Sequence, residues 1–405
     1  MPADRLRNGR LGSVVSGAVG LLLVGMTAAP AQAETIREQQ WYLTAMKADQ
    51  MWRTSTGKGI TVAVIDTGVD GNLPDLKGRV LPGLNEAPQS PGDEHTSYDG
   101  HGTTMGLLIA GTGKANGGNG TFGLAPGAKI LPIRVPDRGL DSDRYTDEFS
   151  KVVSRGIRYA VDSGAQVINI SMRAYKGSDE LTAAVKYALN KGALIFAGSG
   201  NDGTSEVEYP AGTPGVVAVG AVGRDLSKTK ESQYGPQIDM AAPGDEMYHT
   251  CPNGKDLCRS HGTSDATALA SASAALIWSK HPTWTNNQVL RVMLNTAGAP
   301  TDGAKRNDSI GYGIVRPRIA LQNPGDPGPA DAYPLPDFSA ASSASPSPGT
   351  AGSKDSAPQA KDDKAAAEAS SDKGGSDTLW AALGIGAAVL IGGVVAAVAT
   401  RKRRH

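Results

Sequence analysis

The 405-residue chain has little of several things at once: two cysteines, four phenylalanines, an aromatic content of 5%, and no net charge, since forty Lys plus Arg offset forty Asp plus Glu. Two cysteines cannot build a disulfide framework, and Cys251 and Cys258, flanked by His249 and His261, match no usual zinc spacing. A zero balance supplies no chain-wide field to recruit nucleic acid, so a nucleic-acid partner is not expected. Few aromatics beside 52 glycines suit a tightly turned α/β protein better than a β-sandwich or coiled coil. There is no tandem repeat and no calcium-ligand cluster, and neither metal nor cofactor is expected.

Long uncharged apolar runs are confined to the two ends. Arg5, Arg7 and Arg10 precede the stretch from Leu11 to Ala29, and Ala31-Gln32-Ala33 has the small-x-small form of a cleavage site. Residues 1–33 therefore read as a secretory signal peptide. At the other end, Leu379 to Thr400 carries no charge and is long enough to cross a bilayer. The basic cluster Arg401-Lys402-Arg403-Arg404 follows it, so 379–400 is expected as a transmembrane helix and 401–405 as a cytoplasmic tail. Both signals put the middle of the chain outside a cell membrane. There, residues 34–58 form a short extension, 59–322 a folded domain, and 323–378 a disordered Pro/Ala/Ser-rich tether spanning on the order of 40 Å. Export also favours a disulfide between Cys251 and Cys258.

The middle segment alternates between two periods. The β-branched run Gly59–Ile65 has the composition of a strand buried on both faces, and Lys129–Arg134, Gln166–Ile170, Ala193–Ala197 and Gly215–Val222 repeat it. Between them, Phe149, Val152, Val153, Ile157 and Ala160, then Leu181, Ala184, Val185 and Ala188, fall at helical spacing. The expected fold is α/β, a doubly wound, mostly parallel sheet flanked by helices. Thr263 to Trp278, mostly Ala and Ser, predicts a helix buried on all sides, and Thr285 with Gln288 predicts a capping box opening a last helix through Leu294.

Ligand sites of such sheets lie beyond the carboxyl ends of the strands, where Asp66-Thr67-Gly68 follows the first run. Asp99-Gly100-His101-Gly102-Thr103 frames an imidazole between glycines. Gly262-Thr263-Ser264 places a hydroxyl at a helix N-terminus, where the dipole favours developing negative charge. Gly198-Ser199-Gly200-Asn201 keeps the backbone bare beside an amide able to donate to an oxyanion. Singly, each also reads as a cap or a turn.

Together, in the order Asp, His, Asn, Ser, these segments resemble the subtilisin-like serine peptidases, over about Gly59 to Ala297. The resemblance implies Asp66, His101 and Ser264 as catalytic triad and Asn201 as oxyanion-hole donor. It implies Ser171, Met172 and Arg173, with Gly198, Ser199 and Gly200, as substrate-binding segments, and a protein or peptide substrate. The leader, the Gln40-Trp41-Tyr42-Leu43 segment, the tether and the terminal helix look more narrowly like the mycosins, membrane-anchored proteases associated with type VII secretion. That implies partners in a secretion membrane complex, and as an alternative function a structural component of it whose catalysis is dispensable. At 34–58 the extension is too short for a folded inhibitory pro-domain and is expected to lie along the domain.

Three departures from the family pattern stand out. Ala268 replaces a usual proline, Asp265 a usual apolar residue, and Arg173 a usual glycine. Asp265, in the first turn of its helix, is expected to point away from the imidazole, and Arg173 to narrow or charge the substrate cleft. A rival pairing of Asp66 with Asp162, as in an aspartic protease, leaves His101 and Ser264 without a role.

Overall fold

A computed structural model describes residues 35–136 and 142–338. The signal peptide, most of the tether, the transmembrane helix and the basic tail expected from the sequence lie outside these residues. Among the described residues no helix is long and apolar enough to cross a membrane.

The described residues open with three short helices, α1 (Ile36–Gln39), α2 (Trp41–Ala45) and α3 (Ala48–Trp52), and then enter β1 (Thr61–Asp66). The sheet continues with β2 (Leu84–Asn85), β3 (Lys129–Arg134), β4 (Val167–Ile170), β5 (Leu194–Gly198), β6 (Val217–Val222) and β7 (Met240–Pro243). Helices α4 (His101–Ala110), α5 (Ser142–Asp162) and α6 (Asp179–Asn190) supply crossovers. A hairpin, β8 (Met247–Thr250) with β9 (Leu257–Ser260), precedes α7 (Thr263–Lys280), α8 (Asn286–Thr296) and α9 (Pro317–Gln322).

The seven strands pair in the order β2-β3-β1-β4-β5-β6-β7, and every ladder is parallel. Successive residues of a strand face opposite layers, which is why the runs are apolar throughout rather than alternating. Val62, Val64, Leu194, Phe196, Val217 and Val219 face the layer formed by α4, α7 and α8. Ala63, Ile65, Ile168, Ile170, Ile195 and Ala197 face α5 and α6. After β3 the chain crosses to the far side of β1 and continues outward from β4, so winding reverses at the β1/β4 boundary. A crevice at the carboxyl ends of such a pair is where this class of sheet holds ligands.

Helix α7 is buried nearly all round, as its Ala and Ser content predicts. Its hydroxyls are satisfied internally: Thr267 Oγ1 donates to the Thr263 carbonyl at 2.6 Å, Ser273 Oγ to that of Leu269 at 2.7 Å, and Ser271 Oγ to Asn169 Oδ1 at 3.1 Å. The Thr285–Gln288 capping box opens α8 as expected. Strand β7 has no counterpart in the sequence reading, because Met240-Ala241-Ala242-Pro243 is short and weakly β-forming; its pairing to β6 makes it a strand.

Residues on both sides of 59–322 pack against the domain. The extension before residue 59 is part of the core: Tyr42 and Leu43 have no exposed surface and pack in the α7 layer. Gln40 exchanges hydrogen bonds with the Phe122 backbone at 2.8 and 3.2 Å, and Trp41 Nε1 donates to the Asp245 carbonyl at 2.9 Å. Beyond residue 322 the chain stays packed through Phe338. Leu335 is fully buried, the Tyr333 hydroxyl donates to Gly215 O, and Asp337 Oδ2 accepts from Gly215 N. The Arg291 guanidinium holds the carbonyls of Pro327, Pro329 and Ala332. A proline-rich segment has few donors and no periodicity, so side chains from elsewhere must order it.

Because the extension supplies core rather than cover, Leu43→Ala should destabilise the domain by about 2–5 kcal/mol. A urea titration showing an unchanged midpoint would contradict that placement.

Candidate active site

The site is assembled from the tips of β1, β4 and β5 and from the N-termini of α4 and α7. Asp66 ends β1 and is fully buried; its Oδ1 accepts the Thr67 N–H at 2.8 Å and lies 2.7 Å from His101 Nδ1. His101 is the first residue of α4. A second hydrogen-bond chain fixes the loop ahead of it. Asp99 Oδ1 accepts from Thr67 Oγ1 at 2.7 Å and from His101 N at 2.9 Å, while Thr67 Oγ1 accepts from Gly102 N at 3.1 Å.

The glycine after the histidine is obligatory here. A Cβ on Gly102 would stand 2.3 Å from the Gly68 carbonyl and 3.0 Å from Asp66 Oδ1, so any side chain would separate the two segments that carry the pair. Behind it, the disulfide Cys251–Cys258 closes the turn between β8 and β9. Pro252 of that turn packs against Gly100, whose left-handed φ of 80° opens α4.

Ser264 is half-buried in the first turn of α7, and its Oγ donates to the Ser171 carbonyl beyond β4 at 3.3 Å. Asn201, beyond β5, is anchored through its carboxamide oxygen, which accepts from Thr263 N at 2.9 Å and Thr263 Oγ1 at 3.0 Å. Committing Oδ1 in this way leaves the Nδ2 donors for another acceptor. Thr263 Oγ1 also accepts from Gly200 N at 3.2 Å, tying the β5 tip to α7.

Residues expected to bind substrate divide into two sets. Ser171, Gly198 and Gly200 border Ser264 and Thr263, and a Cβ on Gly198 would come within 3.0 Å of Thr263 Oγ1. Met172 is only 4% exposed and packs in the α5/α6 layer, and Ser199 is 1% exposed, so their side chains belong to the interior. Arg173 does not present an unpaired charge. Its guanidinium is paired to Asp202 at 2.6 Å and to Glu208. Asp162 is exposed at the end of α5, where it accepts from the Tyr187 hydroxyl at 2.6 Å. That end precedes β4, so Asp162 lies toward the amino ends of the strands, opposite to Asp66.

The expectation for Asp265 is overturned. It is 1% exposed, and its Oδ1 accepts the Ser260 hydroxyl at 2.5 Å. Burial pushes its carboxyl up to about 6, against the pull of Ser260, His101 and His261. Its charge also reaches the imidazole: burial alone would pull His101 down, but Asp66, Asp265 and Asp99 outweigh it and hold His101 up at about 9. Heptad-like position on a helix does not reveal which first-turn side chain tucks under the preceding hairpin. Only the β8–β9 contact makes the interior the place for this one.

A neutral imidazole is the form able to take a proton, and here it grows only as pH rises toward 9. Asp265→Asn removes one of the carboxylates holding the proton, so the His101 ring should titrate lower by about one unit. An NMR pH titration of the ring protons reads the shift directly. Equal midpoints in the two proteins would show that Asp265 does not act on the imidazole.

Comparisons with known proteins bear on the family and the fold. The profile of the Subtilase family matches residues 57–313. Thermitase of Thermoactinomyces vulgaris is 36% identical over 235 residues, covering 58% of this chain and 80% of that protein. Among solved structures, MycP1 from Mycobacterium smegmatis superposes with a TM-score of 0.63 at 29% identity, covering 72% of this chain and 86% of that one. A chain of the periplasmic assembly from the ESX-5 inner membrane complex gives 0.65 at 27% identity, covering 76% and 89%.

Proposed function

The chain belongs to the subtilase family of serine peptidases, and from that premise we propose a membrane-tethered extracellular endopeptidase that works through Ser264, His101 and Asp66 in association with a type VII secretion complex. The observation that carries the catalytic part is the 2.7 Å contact of His101 Nδ1 with the buried Asp66 carboxylate, within electrostatic reach of Asp265, the residue that follows Ser264 in α7.

In this reading His101 Nε2 takes the Ser264 hydroxyl proton as Oγ attacks the peptide carbonyl carbon. Asp66 Oδ1 accepts the Nδ1 proton, which sets the tautomer and offsets the charge on the imidazolium. The carbonyl oxygen, now an oxyanion, accepts from Asn201 Nδ2 and from the Ser264 N–H, with the α7 dipole behind it. Collapse expels the amine, which takes the proton from His101 and leaves an acyl-enzyme. Water, deprotonated by His101, then attacks the ester carbon and releases the acid, returning the proton to Ser264. Because the carboxamide oxygen of Asn201 is held by Thr263, its donors are in place before substrate arrives.

The anchoring part rests on the sequence at the two ends: a cleavable leader through Ala33, an apolar run at 379–400 and a basic tail. The secretion part rests on the likeness to MycP1 and to the ESX-5 periplasmic assembly. That second likeness also favours another reading, in which the domain is a structural component of the membrane complex and its catalysis is dispensable.

Ser264→Ala should abolish hydrolysis and labelling by a serine-directed phosphonate. Asn201→Ala should lose on the order of 10²–10³ in kcat while keeping the label, a magnitude taken from subtilisin itself rather than derived from this site. A Ser264→Ala protein that still turns over substrate would end the catalytic assignment. If the same variant fully restores secretion to a deletion strain, the structural reading takes precedence. For topology, externally added protease should reach the domain on intact cells, and truncation after residue 338 should release it into the medium. Retention of the truncated protein in the membrane fraction would remove the anchor from 379–400.

A further inference from the structure

We propose that the Arg173–Asp202–Glu208 cluster decides specificity, with the cleft accepting a lysine or arginine side chain beside the scissile bond in place of the Arg173 guanidinium. This rests on the assignment of Ser264 as nucleophile, and it begins from the two walls that flank that residue. Strands β4 and β5 are parallel neighbours, with Ile170 level with Ala197. The chain leaves them as Ser171–Arg173 on one side and Ser199–Asp202 on the other, and the α7 N-terminus is bonded to both, through Ser264 to Ser171 and through Thr263 to Asn201.

Arg173 reaches from the first wall to the second. Its Nη1 donates to Asp202 Oδ2 at 2.6 Å and to Glu208 Oε1, and its Nη2 to Asp202 Oδ1 at 3.3 Å. Glu208 returns to this point because Ala174 and Tyr209 exchange backbone hydrogen bonds at 2.8 Å in both directions. Gln233 Nε2 adds a donor to Glu208 Oε1 at 3.3 Å. The arrangement has been given room at a cost in backbone freedom: Gly200 has a φ of 114°, and a Cβ there would stand 2.4 Å from Glu208 Oε2.

The cluster is incomplete as it stands. Glu208 is 1% exposed, yet its Oε2 meets no hydrogen-bond donor. Two carboxylates face one guanidinium, and burial, with Asp202 alongside and only partly offset by Arg173, pushes the Glu208 carboxyl up to about 7. A second cation would give the open acceptor a donor and draw Glu208 into its ionised form. An apolar side chain that displaced Arg173 would instead strand a buried carboxylate, which is strongly disfavoured. A basic substrate side chain can take over the bonds to Glu208 while Arg173 swings onto the Tyr175 ring, which is 58% exposed and already 5.7 Å from the guanidinium carbon.

Paired peptide substrates that differ only in Lys or Leu next to the cleaved bond test this through the ratio of their kcat/KM values. That ratio is insensitive to how much of a variant is folded. Wild type should favour Lys by about tenfold or more, Arg173→Ala should widen the ratio by about another tenfold, and Glu208→Gln should bring it near unity. A wild-type preference for Leu, or a ratio that Glu208→Gln leaves unmoved, overturns the proposal. Benzamidine, a free amidinium, provides a readout without turnover. Titrated by calorimetry into Ser264→Ala protein, it should bind, bind about tenfold more tightly when Arg173→Ala is added, and bind at least tenfold more weakly when Glu208→Gln is added. Affinities equal in all three refute the cluster even if hydrolysis proves to use another nucleophile, whereas the predicted series with no Ser264-dependent cleavage would refute the triad and leave the cluster standing.

Discussion

A carboxylate with no exposed surface, at the end of the central strand, sets the terms for the rest of the structure. Asp66 is stable there only while Thr67 N–H and His101 Nδ1 stay within hydrogen-bond reach of Oδ1. The imidazole must therefore approach from a fixed direction, and α4 must begin at His101. Gly102 must lack a side chain so that α4 can close on the Gly68 carbonyl. Asp99 and Thr67 cross-link the two segments, and the disulfide-closed turn wedges Pro252 against Gly100 behind them. The need of this buried carboxylate for donors thus brings the imidazole onto Asp66.

Charge is used differently on the two sides of Ser264. On the His101 side three carboxylates, Asp66, Asp99 and Asp265, raise the affinity of the imidazole for its proton. On the Arg173 side, a guanidinium compensates two carboxylates across the gap between the β4 and β5 walls. Asp265 and Arg173, read in the sequence as departures from the family pattern, supply one member to each grouping. The formal net charge of zero conceals both groupings.

Much of the fold could be read in advance because parallel strands covered on both faces leave an unbroken β-branched signal, as in Gly59–Ile65 and Gly215–Val222. Helices carried the complementary 3.6-residue spacing or, in α7, a surplus of small residues. What escaped the reading was structure made by partners. Met240–Pro243 is a strand through its ladder to β6, and the extension expected to lie along the domain also supplies Tyr42 and Leu43 to its core. The start of the Pro-rich segment is ordered by Arg291, which is far from it in sequence.

The sequence by itself determined which residues are candidates for the site, since Asp66, His101, Asn201 and Ser264 each sit in a local motif whose glycines and strand ends are written next to them. It also determined the sheet class, because burial on two faces imposes a local composition. Only the tertiary structure decided the direction of side chains whose role depends on a distant neighbour. Asp265 turns inward because Ser260 of the β8–β9 hairpin offers it a hydroxyl, and Arg173 crosses the cleft because Asp202 and Glu208 await it on the next strand's loop. Local spacing encodes which face of an element is apolar, whereas the partner of a polar group is fixed only when non-local segments meet.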